Sequence, residues 1–120
     1  MSLSFHLTSL YVCVKDMERA IRFYEILLGQ KVTKKDPVYS VFDINGFRYG
    51  LFANEKRNEQ HSWGNSCLPS LEVTDMDLAL KRLEELHCPI VFAPTVIGKN
   101  QVLEFLDSEG NQVELTCPFN

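Results

Sequence analysis

The chain has 120 residues, and its 12 Lys+Arg against 16 Asp+Glu leave a formal net charge of −4. That length supports one domain around one core, and the acidic balance excludes the concentrated positive patch needed to bind nucleic acid or an anionic membrane nonspecifically. No apolar run reaches the roughly 20 residues of a membrane span. The first residues lack the basic start and long apolar stretch of a secretory signal. Four scattered cysteines, Cys13, Cys67, Cys88 and Cys117, form no CxxC pair. The expectation is a cytoplasmic protein with reduced thiols and no nucleic-acid or membrane partner.

In chain order, Leu7 to Val14 alternates as a strand, with Leu10, Val12 and Val14 on one face and Ser9, Tyr11 and Cys13 on the other. Asp16 is a good N-cap for the helix that follows. Met17, Ala20, Ile21, Tyr24, Leu27 and Leu28 fall on one face of that helix, and Gly29 suits a left-handed close. Lys31 to Lys34 reads as a short strand whose lysines are solvated, Asp36-Pro37 as a turn, and Val38 to Ile44 as a strand. Asn45-Gly46 is a hairpin signal. Phe47 to Ala53 returns, Tyr49 and Leu51 alternating against Arg48, Gly50 and Phe52.

Asn54 to Asn65 is polar without periodicity and connects the halves. It carries His61 and the single tryptophan, Trp63, which either lines a pocket or anchors the linker. Leu68 to Thr74 is the next strand, with Leu71 and Val73 toward a helix and Leu68, Ser70 and Glu72 away from it. Asp75 caps that helix, Met76, Ala79, Leu80, Leu83 and Leu86 form its apolar face, and Pro89 stops it. A last hairpin runs from Gln101 to Leu106 and, through Asp107-Ser108-Glu109-Gly110, into Gln112 to Cys117. There Val113 and Leu115 face the helix and Gln112, Glu114 and Thr116 face away.

The two halves repeat one plan. Val14 to Val32 and Val73 to Val91 both open Val-x-Asp-Met, and the offset of fifty-nine residues (75 − 16) also pairs Ala20 with Ala79, Glu25 with Glu84 and Leu27 with Leu86. The reading is one domain over 1–120, with module one at about 5–54, a connector at about 55–65 and module two at about 66–118, the modules sharing a core. Each strand keeps a polar face, and Ser9, Tyr11, Arg48, Ser70, Glu72, Gln112 and Glu114 together imply a groove whose groups water or a ligand must satisfy. The plain alternative is the solvent side of an antiparallel sheet.

The stretches VKDMERAIRFYEILLGQKV, VTDMDLALKRLEEL and DSEGNQVEL, the last departing at Ser108 and Glu109 from an Asp-Pro-Asp-Gly-Asn hairpin, resemble those of the vicinal-oxygen-chelate superfamily of glyoxalase, bleomycin-resistance and extradiol-dioxygenase proteins. The resemblance implies an α+β fold of two tandem βαβββ modules forming an incompletely closed eight-stranded barrel with helices outside, often as a homodimer. Phe23, off the helix's core stripe, is a candidate dimer contact. Enzymes of the superfamily hold a divalent metal with four inward side chains, which here map to Ser9, Gly50, Leu68 and Glu114. Only Glu114 is a plausible ligand, so neither metal nor cofactor is expected.

The expected function is metal-independent binding of an aromatic or cationic small molecule in the inter-module cavity. The expected site is Ser9, Tyr11, Cys13, Arg48, Gly50, Phe52, Trp63, Leu68, Ser70, Glu72, Gln112 and Glu114. The alternatives are a divalent-metal-dependent lyase, isomerase or dioxygenase of the same superfamily, and a cofactor-free module for assembly or regulation. If there is catalysis, Glu114 is the candidate base, unless it pairs with Arg48. Cys13 reads as a buried small residue rather than a nucleophile, and His6 and His61 as surface histidines.

Overall fold

A computed structural model of the chain describes residues 8–57 and 68–119. His6, His61, Trp63 and Cys67 lie outside the described residues. The elements run β1 (Ser9–Cys13), α1 (Met17–Leu28), β2 (Tyr39–Ile44), β3 (Phe47–Phe52), a short 3-10 turn (Asn54–Arg57), β4 (Ser70–Glu72), α2 (Met76–Glu85), β5 (Ile90–Ile97), β6 (Asn100–Leu106) and β7 (Gln112–Pro118). One sheet is ordered β1-β3-β2 and the other β4-β7-β6-β5. In each, the strand before the helix pairs in parallel with the last strand of its module, and the remaining pairings are antiparallel. The α+β class and the paired modules are therefore as expected, with the two sheets not joined into a closed barrel.

Local chemistry explains both helices. The Asp16 carboxylate accepts the Arg19 N–H at 3.0 Å and that of Asp75 accepts the Leu78 N–H at 3.0 Å, satisfying donors that a first turn leaves open. Gly29 ends α1 at φ 68°, its N–H donating to the Glu25 carbonyl. Pro89 does not end α2: His87 turns left-handed two residues earlier, at φ 55°, and Cys88 N–H bonds back to the Leu83 carbonyl.

Lys31 to Lys34 does not form the expected strand. Lys34 makes a single bridge to Val41, and the Thr33 hydroxyl accepts the Asp43 N–H at 2.8 Å, so a side chain takes the position of a ladder carbonyl. The described residues thus hold seven strands. β5 is an edge strand, broken by register shifts between Ile90 and Phe92 and between Phe92 and Thr95.

The halves share one core. Tyr24, Phe42 and Leu51 of module one and Leu83, Leu103, Phe105, Val113 and Leu115 of module two belong to a single buried cluster. Phe23 belongs to it too, at 7% exposure, its ring edge-on to Tyr24. The expectation that Phe23 is a dimer contact is corrected: α1 meets its own sheet and α2, so its buried stripe is wider than one heptad-like row.

A polar latch closes the core between modules. At the β6–β7 tip the Glu109 carboxylate accepts the backbone N–H groups of Lys15 and Asp16 at 2.9 and 3.0 Å and the Arg19 Nε at 2.7 Å. The buried Tyr24 hydroxyl donates to Asp107 at 2.5 Å, and Tyr49 donates to Tyr24 at 3.0 Å. The Asn111 amide reaches both Asp107 and the Cys13 carbonyl at 3.0 Å. Burial pushes the Glu109 carboxyl up, but the bonds from Arg19, Asp16, Lys15 and Ser108 outweigh it and hold the group at about 2.

A carboxyl depressed in the folded state contributes stability above its ordinary pKa of 4.5 and loses it as pH falls toward 2. Glu109→Gln is expected to cost about 2 kcal/mol at pH 7, allowing for the half-exposed Arg19 partner. In denaturant titrations from pH 7 to pH 2, the gap between the variant and the unaltered protein is expected to narrow below pH 4.5.

Candidate functional site

Residues paired across a ladder share a face, so the register lays out the polar faces row by row. On the first sheet one row is Tyr11, Gly50 and Val41, and the next is Cys13, Phe52 and Tyr39. On the second sheet the corresponding row is Ser70, Glu114 and Glu104, flanked by Glu72 and Thr116. The Tyr11 and Ser70 positions differ by the same fifty-nine residues that relate the helices, so the duplication extends to strand pairing.

The first sheet's face is aromatic. Tyr11, Tyr39 and Phe52 contact one another at ring-centroid distances of 5.9, 5.3 and 6.0 Å, with Tyr11 53% exposed. Tyr39 lies across Gly50, and a Cβ there would run into its ring. Burial and then the Tyr11 ring raise the Tyr39 hydroxyl's pKa, with Arg48 opposing.

The second sheet's face is acidic. Ser70 donates to Glu114 at 2.6 Å, and Glu114 stands directly opposite Glu104 on the neighbouring strand. Like charges so placed repel. The expected alternative partner of Glu114, Arg48, is not its partner: Arg48 sits on the first sheet beside Ser9, and Ser70 supplies the bond to Glu114 instead.

Of the remaining expected site residues, Ser9, Arg48 and Gln112 are exposed on these faces, and Leu68 is exposed just before β4. Cys13 is buried at the end of β1, beneath the Asn111 contact to its carbonyl. A cavity of about 600 Å³ lies between the C-terminal half of α1, the β2–β3 hairpin, β4 and α2. It takes in Ser70 and Glu72 of the expected set and leaves Ser9, Tyr11, Cys13, Arg48, Gly50, Phe52, Leu68, Gln112 and Glu114 outside its lining. The sequence reading did not single out the Glu109 latch, Tyr39 or Glu104. For Glu104, the alternation of β6 toward Glu114 was an available signal.

The four positions implied for a metal do not fit one. Gly50 has no donor and its space is taken by the Tyr39 ring, Leu68 has no donor, and Ser9 is an exposed hydroxyl. Reading Tyr11 and Ser70 in place of Ser9 and Leu68, as the pairing register allows, adds only hydroxyls. No group of three or more His, Cys, Asp or Glu side chains arranged to hold a metal ion occurs among the described residues. Burial pushes the Cys88 thiol up to about 11, which keeps it protonated and poorly nucleophilic.

Two duplicated modules with polar sheet faces, βαββ in the first and βαβββ in the second among the described residues, define a paired-module protein. The family model described as the glyoxalase/bleomycin resistance protein/dioxygenase superfamily matches residues 5–115, and the chain belongs to that superfamily. Among solved structures it is similar to a protein from Agrobacterium tumefaciens determined by solution NMR. That match has a TM-score of 0.81 at 16% identity, covering 98% of this chain and 100% of that one. It is also similar to a glyoxalase-related enzyme from Fulvimarina pelagi (TM-score 0.79, 15% identity, 93% and 87% covered). A third is an integron cassette protein from the mobile metagenome of V. Cholerae (TM-score 0.72, 24% identity, 98% and 97% covered). At these identities the likeness is one of fold. No described helix is long and apolar enough to cross a membrane.

Gly50→Ala is expected to lower stability by about 1–3 kcal/mol, because the added methyl must displace the Tyr39 ring. In a Tyr39→Ser background the same change is expected to be nearly neutral, and denaturant titration of the four proteins measures the coupling.

Proposed function

We propose that the chain is a metal-independent binding protein for a small molecule that is both aromatic and cationic. The observation that carries the reading is the juxtaposed pair Glu104 and Glu114, with Glu72 nearby on the same face. A bound cation relieves their repulsion, and the exposed Tyr11 ring with Tyr39 and Phe52 supplies π-faces to an aromatic body. Gly50 and Leu68, which lack side-chain donors at two of the four implied metal positions, support metal independence. Glu114, held by Ser70, acts here as a charge partner to the ligand rather than as a general base.

The expected outcome is that quinolinium- or aminoacridine-type cations raise the melting temperature in a saturable way. Glu104→Gln together with Glu114→Gln is expected to weaken their binding about tenfold or more by calorimetry. One tightly bound divalent ion per purified chain, lost in Glu114→Ala, sinks this reading in favour of a metal-dependent lyase, isomerase or dioxygenase.

The protein works as a homodimer in the same proposal. Ile90, Val91, Val96 and Ile97 on the outermost strand of the second sheet, with Phe119, are 44–63% exposed, and in this proposal a second copy covers apolar side chains along that edge. Sedimentation at micromolar concentration is expected to show a dimer, and Val96→Lys with Ile97→Lys a monomer. A monomer in the unaltered protein removes this part of the proposal.

A further inference from the structure

The two modules fill one ladder position in different ways. The row of Tyr11, Gly50 and Val41 in the first sheet and that of Ser70, Glu114 and Glu104 in the second put Gly50 and Glu114 at corresponding places. Glu114 brings its own carboxylate there, held by the Ser70 hydroxyl at 2.6 Å. Gly50 brings no side chain, and the space belongs to Tyr39, whose hydroxyl, Cζ and Cε1 are the three atoms nearest to where a Cβ would stand.

Gly50 is not among the residues with positive φ, so its backbone does not call for glycine. What the missing side chain gives is room for the Tyr39 ring. Tyr39 reaches that place from β2, where it pairs with Phe52, two residues along from Gly50. The corresponding pair of the second sheet is Val102 with Thr116, two residues along from Glu114, and a valine is too short to reach across. Each module thus sets one polar group at the same register position, an accepting carboxylate in the second and a phenol hydroxyl in the first.

The surroundings make that hydroxyl a donor. The Tyr39 backbone N–H bonds to the Asp36 carboxylate, while its hydroxyl has no hydrogen-bond partner among the described residues. The ring is held between Tyr11 and Phe52. Burial and then the Tyr11 ring raise the hydroxyl's pKa, so it keeps its proton at neutral pH. Arg48 shares the face with Gly50 and Phe52, and a cation beside the hydroxyl favours an electron-rich atom there.

We infer, resting on the binding reading above, that the aromatic cation carries a hydrogen-bond-accepting oxygen on its ring system and that the Tyr39 hydroxyl, seated over Gly50, selects for it. Glu104 and Glu114 take the cationic end, and Tyr39 with Arg48 beside it takes the oxygen. Tyr39 is then a specificity-determining residue as well as a filler of the space above Gly50.

Calorimetric titration with 6- and 7-acetyl-1-methylquinolinium, each against its isopropyl counterpart, separates these roles. Acetyl and isopropyl groups have nearly the same shape, and only acetyl accepts a hydrogen bond. At least one acetyl cation is expected to bind about five- to tenfold more tightly than its isopropyl counterpart. Tyr39→Phe, which keeps the ring over Gly50 and drops only the hydroxyl, is expected to abolish that ratio. Cations that bind and are weakened by Glu104→Gln with Glu114→Gln, yet show no acetyl preference or one that survives Tyr39→Phe, overturn the inference and leave the proposed function standing. If none of the four binds, the proposed function fails and the inference with it.

Discussion

A buried carboxylate at the tip of the last hairpin holds the two halves of this protein together. Glu109, with a fully buried side chain, satisfies two backbone donors where β1 hands over to α1. Asn111 beside it satisfies the Cys13 carbonyl. These contacts tie the turn from β1 into α1 in module one to a hairpin of module two. Below the tip, Tyr49, Tyr24 and Asp107 form a chain of hydrogen bonds through the shared core. A network of this kind is favourable only when fully satisfied, and no described buried side-chain nitrogen or oxygen lacks a partner.

Caps, helix faces and strand alternation were legible in the sequence because each depends on neighbours within a turn or a pleat. Asp16, Asp75 and Gly29 do what their local positions dictate. The latch was not legible in the same way: Glu109 and Lys15 are 94 residues apart in the chain, and no local rule says which hairpin tip meets which helix. The early end of α2 shows a subtler limit. Proline is the stronger breaker by propensity, yet a left-handed histidine acts first because histidine tolerates that conformation better than most side chains.

The duplicated scaffold has diverged most where its sheets face outward. The same ladder position carries Tyr11 beside Gly50 in one module and Ser70 beside Glu114 in the other. The alternation of the strands predicted which residues share these faces. It did not predict that Tyr39 would lie over Gly50, because that depends on the pairing of β2 with β3 and on one side-chain rotamer. An aromatic surface on one sheet and a carboxylate surface on the other give the two halves different chemistry on one architecture.

The outer strand β5 bears on what could add to the second sheet. A long, regular border of unpaired amides invites other chains to extend the sheet, a route toward fibrous assembly. In β5 the two register shifts fall within the first six of eight residues, and Pro94 lacks an N–H within the same stretch. A foreign strand arriving there finds its donors and acceptors out of step after one or two bonds. Any contact along that border is thereby left to side chains rather than to an extended ladder.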